Sequence, residues 1–131
     1  MASSRHDPVA SHSAVEVFVL EGEKILITGA TGKIAFPIAR ALARNNEVWG
    51  VARLQNAGDR DKLASTGVEP VALDLSAGDF ASLPDDFSYV FHAAVDPGQG
   101  DWSRCIRTNA YLSGDLLYHC RCSRSSLRRA L

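Results

Sequence analysis

The stretch of this chain richest in potential chemistry is Thr28-Gly29-Ala30-Thr31-Gly32-Lys33-Ile34-Ala35. It follows a short β-branched apolar run and precedes an amphipathic one, so it must carry the backbone from a buried strand straight into a helix. Such a turn needs residues that tolerate unusual backbone angles and lack a Cβ, and Gly29 and Gly32 supply both. The N–H groups of the helix's first turn then point outward with the positive end of the helix dipole, an arrangement that binds phosphate. A Walker A loop would require glycine five positions before Gly32 and Ser or Thr after Lys33, but Ile27 and Ile34 stand there. A dinucleotide-binding turn remains, because the segment follows a strand, opens a helix and sits in a βαβ unit of suitable length.

Arg53 lies 21 residues after Gly32, the region in which NAD-selective proteins place an acid on the ribose 2′-hydroxyl. The local sequence, Val51-Ala52-Arg53-Leu54, holds no acid. An arginine there can make a charge-assisted contact to the 2′-phosphate of NADP, so NADP is expected in preference to NAD; a solvated surface arginine is the alternative. His92 lies in an apolar strand and reads as a packed, hydrogen-bonded core residue rather than a catalytic base. Cys105, Cys120 and Cys122 lack paired CxxC spacing, and His6, His12, His92 and His119 are scattered. The cysteines therefore read as free thiols, and no metal-binding residue is assigned.

The elements that would position these residues follow from hydrophobic periodicity. Residues 24–28 form a nearly continuous β-branched run, the pattern of a strand buried on both faces of a parallel sheet. Ile34, Ile38 and Leu42, with Ala35, Ala39 and Ala41 between them, form a helical stripe. That helix is expected to start at about Gly32, end near Asn45 and Asn46, and bend slightly at Pro37. Residues 47–53, 68–74 and 89–94 read as further strands, 59–66 as a short helix and 79–83 as a single turn. A long helix is expected over 101–120, with Ile106, Ala110, Leu112, Leu116 and Leu117 as its apolar face.

Strand and helix thus alternate with crossovers too long for hairpins. The expected fold class is α/β, an incomplete Rossmann-like doubly wound parallel sheet of about four strands in the order 3-2-1-4. In that order the outer edge of the fourth strand is exposed, and residues 89–94 contain no proline or charge to blunt it. Self-association through this edge, or its relief by residues 15–20, is the expected consequence.

The segment TGATGKIA resembles the TGxxGxxG turn of the extended short-chain dehydrogenase/reductase family, the NAD-dependent epimerase/dehydratase type. The resemblance continues in order along residues 24–120. Asp74-Leu75 matches the position after the third strand where the family has an adenine-binding acid; a helix N-cap is the local alternative for Asp74. His92-Ala93-Ala94 resembles the fourth-strand HxAA, where small residues let the dinucleotide pass close to the backbone. Asn109, Gly114 and Leu117 resemble the family's NxxGxxxLL helix, and Asn109 is given a structural role. The resemblance implies NAD(P) contacts by Gly29, Thr31, Gly32, Lys33, Ile34, Arg53, Asp74, Leu75, Ala93 and Ala94.

Two departures accompany the resemblance. Ala35 replaces the third glycine and adds one methyl where helix and strand pack. The resemblance also implies a catalytic Tyr-x-x-x-Lys, but four residues after Tyr89, Tyr111 and Tyr118 come Ala93, Asp115 and Cys122. No catalytic residue is therefore assigned. The expectation is the NAD(P)-binding domain of an oxidoreductase or sugar-nucleotide epimerase/dehydratase, truncated before that pair and inactive as this chain alone. The alternatives are a non-catalytic dinucleotide-binding or redox-sensing module, or a non-functional truncated product. A small-molecule substrate is expected only for a full-length relative.

Composition is compatible with one ordinary domain. The 131 residues are 46% hydrophobic and 22% charged, unlike disordered, collagenous or disulfide-stapled chains. Residues 1–120 carry ten basic and fifteen acidic residues, a net −5, which argues against nucleic-acid binding. No apolar run reaches the ~20 residues of a bilayer span, and residues 15–20 lack the flanks of a signal peptide. The expected setting is cytoplasmic, with no membrane partner. Residues 1–22 read as a mostly disordered leader, 23–120 as the NAD(P)-binding domain, and 121–131, RCSRSSLRRAL, as a basic tail with the look of an out-of-frame ending.

Overall fold

Alternation along β1, Lys24–Thr28, sets the architecture. Successive side chains of a strand point to opposite faces, so Ile25 and Ile27 enter one apolar cluster and Leu26 another. A strand buried on both faces belongs in the middle of a sheet. β2 (Glu47–Ala52) lies parallel to it on one side, with β3 (Val68–Ala72) beyond, and β4 (Tyr89–His92) lies parallel on the other. Pro70, which cannot donate to a ladder, stands in the outer strand β3, where such a residue is tolerated.

The computed structural model describes residues 19–122 and 129–130. Of the expected leader and tail, residues 1–18, 123–128 and 131 lie outside the described residues, as does pairing by residues 15–18. A two-residue β5, Arg129–Ala130, runs parallel to Tyr89 and Val90 and completes the order β3-β2-β1-β4-β5. The exposed outer edge expected of β4 is thus corrected over these two residues. Backbone N–H and C=O groups of an edge strand pair with any extended segment within reach, and here that segment is in the same chain. This stretch of edge is no longer open for self-association.

Helices cover both faces. α1 (Ala35–Leu42) and α2 (Asp59–Ala64) place Ala35, Ala39 and Leu63 against Ile25 and Ile27. On the other face, α3 (Trp102–Ile106) passes through a π-helical turn, Arg107–Leu112, into α4 (Ser113–Cys122). Leu116 and Cys120 pack there with Phe80, Phe87 and Val90 over Leu26. The expected apolar face is corrected upstream of Leu112: Leu112 and Leu116 are buried, whereas Ile106 is 53% exposed and Ala110 is also exposed. A π turn inserts an extra residue into the helical register and rotates the stripe before it relative to the stripe after it.

Element ends differ from expectation in ways that matter for the site. Gly32 N–H donates to Gly29 O and Phe36 N–H to Gly32 O, both at 2.9 Å, so residues 29–34 form a turn and α1 starts at Ala35 rather than Gly32. Pro37 then falls in the first helical turn, where its missing N–H is harmless, and the reason for a bend disappears. β2, β3 and β4 stop one or two residues early, leaving Arg53, Asp74, Ala93 and Ala94 on connecting segments. Among the described residues no helix is long and apolar enough to cross a membrane.

Candidate functional site

Because the strands are parallel, β1, β2, β3 and β4 all end on one side, and the segments leaving them enclose a cleft of about 490 Å³. Gly29, Thr31 and Gly32 line it from the turn after β1, Arg53 from the end of β2, Asp74 and Leu75 from beyond β3, and Ala93 and Ala94 from beyond β4. Eight of the ten residues expected to contact NAD(P) thus meet in one cavity. Lys33 and Ile34 are exposed and stand outside its lining.

Gly29 has φ +66°, and a Cβ there would lie 3.0 Å from Ala94 N and 3.1 Å from Ala93 C. The turn after β1 therefore rests directly on the backbone that leaves β4, a fit only glycine allows. Gly32 lacks a positive φ; its constraint is contact, since a Cβ would lie 3.0 Å from Gly29 O. Only the first of the two glycines uses the conformational freedom expected of both.

Beneath the turn, the register pairs Thr28 of β1 with His92 of β4. Thr28 Oγ1 lies 2.6 Å from His92 Nδ1 and accepts from Ala94 N–H at 3.2 Å. On the far side, His92 Nε2 lies 2.8 Å from Ser113 Oγ, which donates to Thr108 O at 3.1 Å. A hydroxyl has one proton, so Ser113, donating to Thr108, accepts from His92 Nε2–H. Nδ1 of the neutral ring is then the acceptor for the Thr28 hydroxyl. Burial pushes the His92 pKa down and favours this neutral form. The strand histidine is hydrogen-bonded as expected, but it is partly buried and lines the cleft floor rather than lying in the core.

Asp74 caps a short 3-10 turn, Leu75–Ala77, accepting from Ser76 N–H at 2.9 Å and from Ser76 Oγ at 2.6 Å. These bonds are the main reason its carboxyl is held below the usual carboxylate range. The capping role is thus realised while the residue still lines the cleft.

Asp96, Arg104 and Thr108 complete the far wall, and no motif marks them. The Asp96 backbone is clamped by the Asn109 side chain, which donates to its carbonyl and accepts from its N–H, both at 2.8 Å. Gly98 N–H donates to Asp96 Oδ1 at 2.9 Å and, as the main cause, lowers the Asp96 pKa. Arg104 Nε–H donates to Oδ2 at 2.8 Å. The family-like Asn109 was the sequence signal that this segment is anchored. The lining arginine and aspartate are positioned by these hydrogen bonds, which no sequence motif marks.

The family model for the NAD dependent epimerase/dehydratase family matches residues 25–127. The chain belongs to that family. UDP-N-acetylglucosamine 4-epimerase from Methanobrevibacter ruminantium, in complex with UDP-N-acetylmuramic acid, is 23% identical with a TM-score of 0.67, covering 85% of this chain and 37% of that one. UDP-glucuronic acid 4-epimerase from Bacillus cereus, in complex with NAD, is 26% identical with a TM-score of 0.65, covering 82% of this chain and 38% of that one. Pseudomonas aeruginosa RhlG, in an active-site complex with NADP, is 19% identical with a TM-score of 0.62, covering 84% of this chain and 48% of that one. No curated protein matches the sequence significantly. The chain thus spans less than half the length of each of these three solved structures.

Proposed function

We propose that this chain binds a dinucleotide in the cleft at the strand ends, through Gly29, Thr31, Gly32, Lys33, Ile34, Arg53, Asp74, Leu75, Ala93 and Ala94, and takes NADP in preference to NAD. The carrying observation is the convergence of the glycine turn with Arg53, Asp74, Ala93 and Ala94 on one cavity. In this reading the pyrophosphate lies over the turn that enters α1, the adenosine lies between Arg53 and Asp74, and the small Ala93 and Ala94 leave room for the rest. The cofactor, when bound, supplies hydride transfer; the residues of this chain bind it, orient it and shield one side from water.

Cofactor choice rests on Arg53, which is exposed at the cleft rim where an acid would repel a 2′-phosphate. Similar solved structures do not decide it, since they hold NAD in one case and NADP in another. Redox or epimerisation of a sugar nucleotide is proposed for a longer protein containing this domain. Calorimetric titration with both cofactors is the test. NADP should bind more tightly, and Arg53→Ala should weaken NADP about tenfold while leaving NAD unchanged. Equal affinities would return Arg53 to the solvated surface, and no binding of either would end the dinucleotide reading.

A further inference from the structure

We propose that Arg104 is a second phosphate-binding cation of the cleft, acting with Arg53 on the phosphate groups of the bound dinucleotide. The inference rests on the dinucleotide reading and extends it to a residue outside every motif in the sequence.

Arg104 is held from two directions. Its backbone N–H donates to the α3 N-cap, Asp101 Oδ1, at 3.0 Å, and its Nε–H donates to Asp96 Oδ2 at 2.8 Å. Asp96 is itself immobilised: its side chain is 9% exposed, Gly98 N–H occupies its other oxygen, and Asn109 clamps its backbone. An ion pair at a solvent-exposed guanidinium adds little to stability. Its consequence is positional, because it removes rotamer freedom that a ligand would otherwise have to remove on binding.

The guanidinium so placed lines the cleft, and its side chain remains 59% exposed. Nε–H is one of five donors in a planar fork; the four on the terminal nitrogens suit the oxygens of a phosphate. Arg53 stands at the end of β2 and Arg104 on α3, so the two approach the cavity from different elements. Electrostatics ties them together. Asp74, held down first by its bonds from Ser76, and Asp96, held down first by Gly98 N–H, each also feel both Arg53 and Arg104.

Charge balance makes the second arginine consequential. Two arginines and two aspartates line the cleft, a neutral set, and both carboxylates already have hydrogen-bond donors. Without Arg104 the lining carries one net negative charge and would repel a phosphate.

The test is calorimetric titration of the full 131-residue chain with NADP, NAD, 2′,5′-ADP, 5′-ADP and adenosine, for wild type, Arg104→Ala, Arg104→Lys and Asp96→Asn. Arg104→Ala should weaken binding about tenfold, with Arg104→Lys and Asp96→Asn in between. If the partner is the 2′-phosphate, NADP and 2′,5′-ADP weaken while NAD and 5′-ADP do not. If it is the pyrophosphate, NADP, NAD and 5′-ADP weaken together. Adenosine should be unaffected in either case. Wild-type affinity of Arg104→Ala for every phosphorylated ligand would overturn the proposal and leave the dinucleotide reading intact, whereas a wild-type chain that binds none of them would overturn both. Should Arg104→Ala lack a cooperative melt, Arg104→Lys decides: full wild-type affinity together with unchanged salt dependence in Asp96→Asn refutes the pinned fork.

Discussion

Gly29 is constrained twice, by its positive φ of +66° and by the 3.0 Å that would separate a Cβ from Ala94 N. Gly29→Ala should therefore cost about 1–3 kcal/mol of stability, read from urea denaturation, and weaken cofactor binding as the turn lifts from β4. An unchanged midpoint would show that the turn relaxes freely. His92 makes a pH prediction. Burial lowers its pKa from 6.5 in the folded chain, so as pH falls the unfolded chain takes up the proton first. The stability contributed by the neutral ring is complete above the unfolded value of 6.5 and is lost as pH falls from there through the folded value. Urea stability measured from about pH 7.5 to about pH 5.5 should decline more steeply for wild type than for His92→Gln; equal slopes would remove His92 as the source. At this scale Gly29 and Arg53 were legible because glycine content and strand-end position are local properties. The ring orientation of His92 was not, because it depends on Thr28 and Ser113, 64 and 21 residues away.

The π-helical turn between α3 and α4 is the element on which the far wall depends. Ser113 Oγ receives His92 Nε2–H from the sheet and donates to Thr108 O, five residues back, so one hydroxyl joins the turn to β4. Ser113→Ala leaves both groups without that partner and should cost about 1–3 kcal/mol in chemical denaturation. Ser113→Thr, which keeps the hydroxyl, should recover most of the loss. Equal destabilisation by both would assign the effect to packing instead. The long helix itself was legible from Leu112, Leu116 and Leu117, but Ile106 and Ala110 were placed on the wrong face. Periodicity read along a sequence assumes unbroken helical phase, and no residue type announces a π turn. The early ends of β3 and β4 have a similar cause: apolar residues continue past the last strand residue, as Leu73, Ala93 and Ala94 do, because they line the cleft.

For the molecule as a whole, the chain pairs a formed cleft at the strand ends with no Tyr-x-x-x-Lys in its 131 residues. A positioned general acid is typically worth ~10²–10⁴-fold in rate, so reduction of carbonyl compounds or nucleotide sugars by this chain alone should stay near background when NADPH absorbance is followed. Enzyme-like rates would point to another acid, with His92 the first to replace. The sequence by itself determined the alternation of strand and helix and the glycine turn, because each rests on the spacing of nearby residues, and these together carried the parallel order 3-2-1-4 and the family. Tertiary structure alone decided that Arg129 and Ala130 pair with β4 and that Asp96 and Arg104 join the cleft wall. It also chose the tautomer of His92. These outcomes depend on which distant segments reach each other in three dimensions, and hydrogen-bond partners outside the local chain leave no period in the sequence to read.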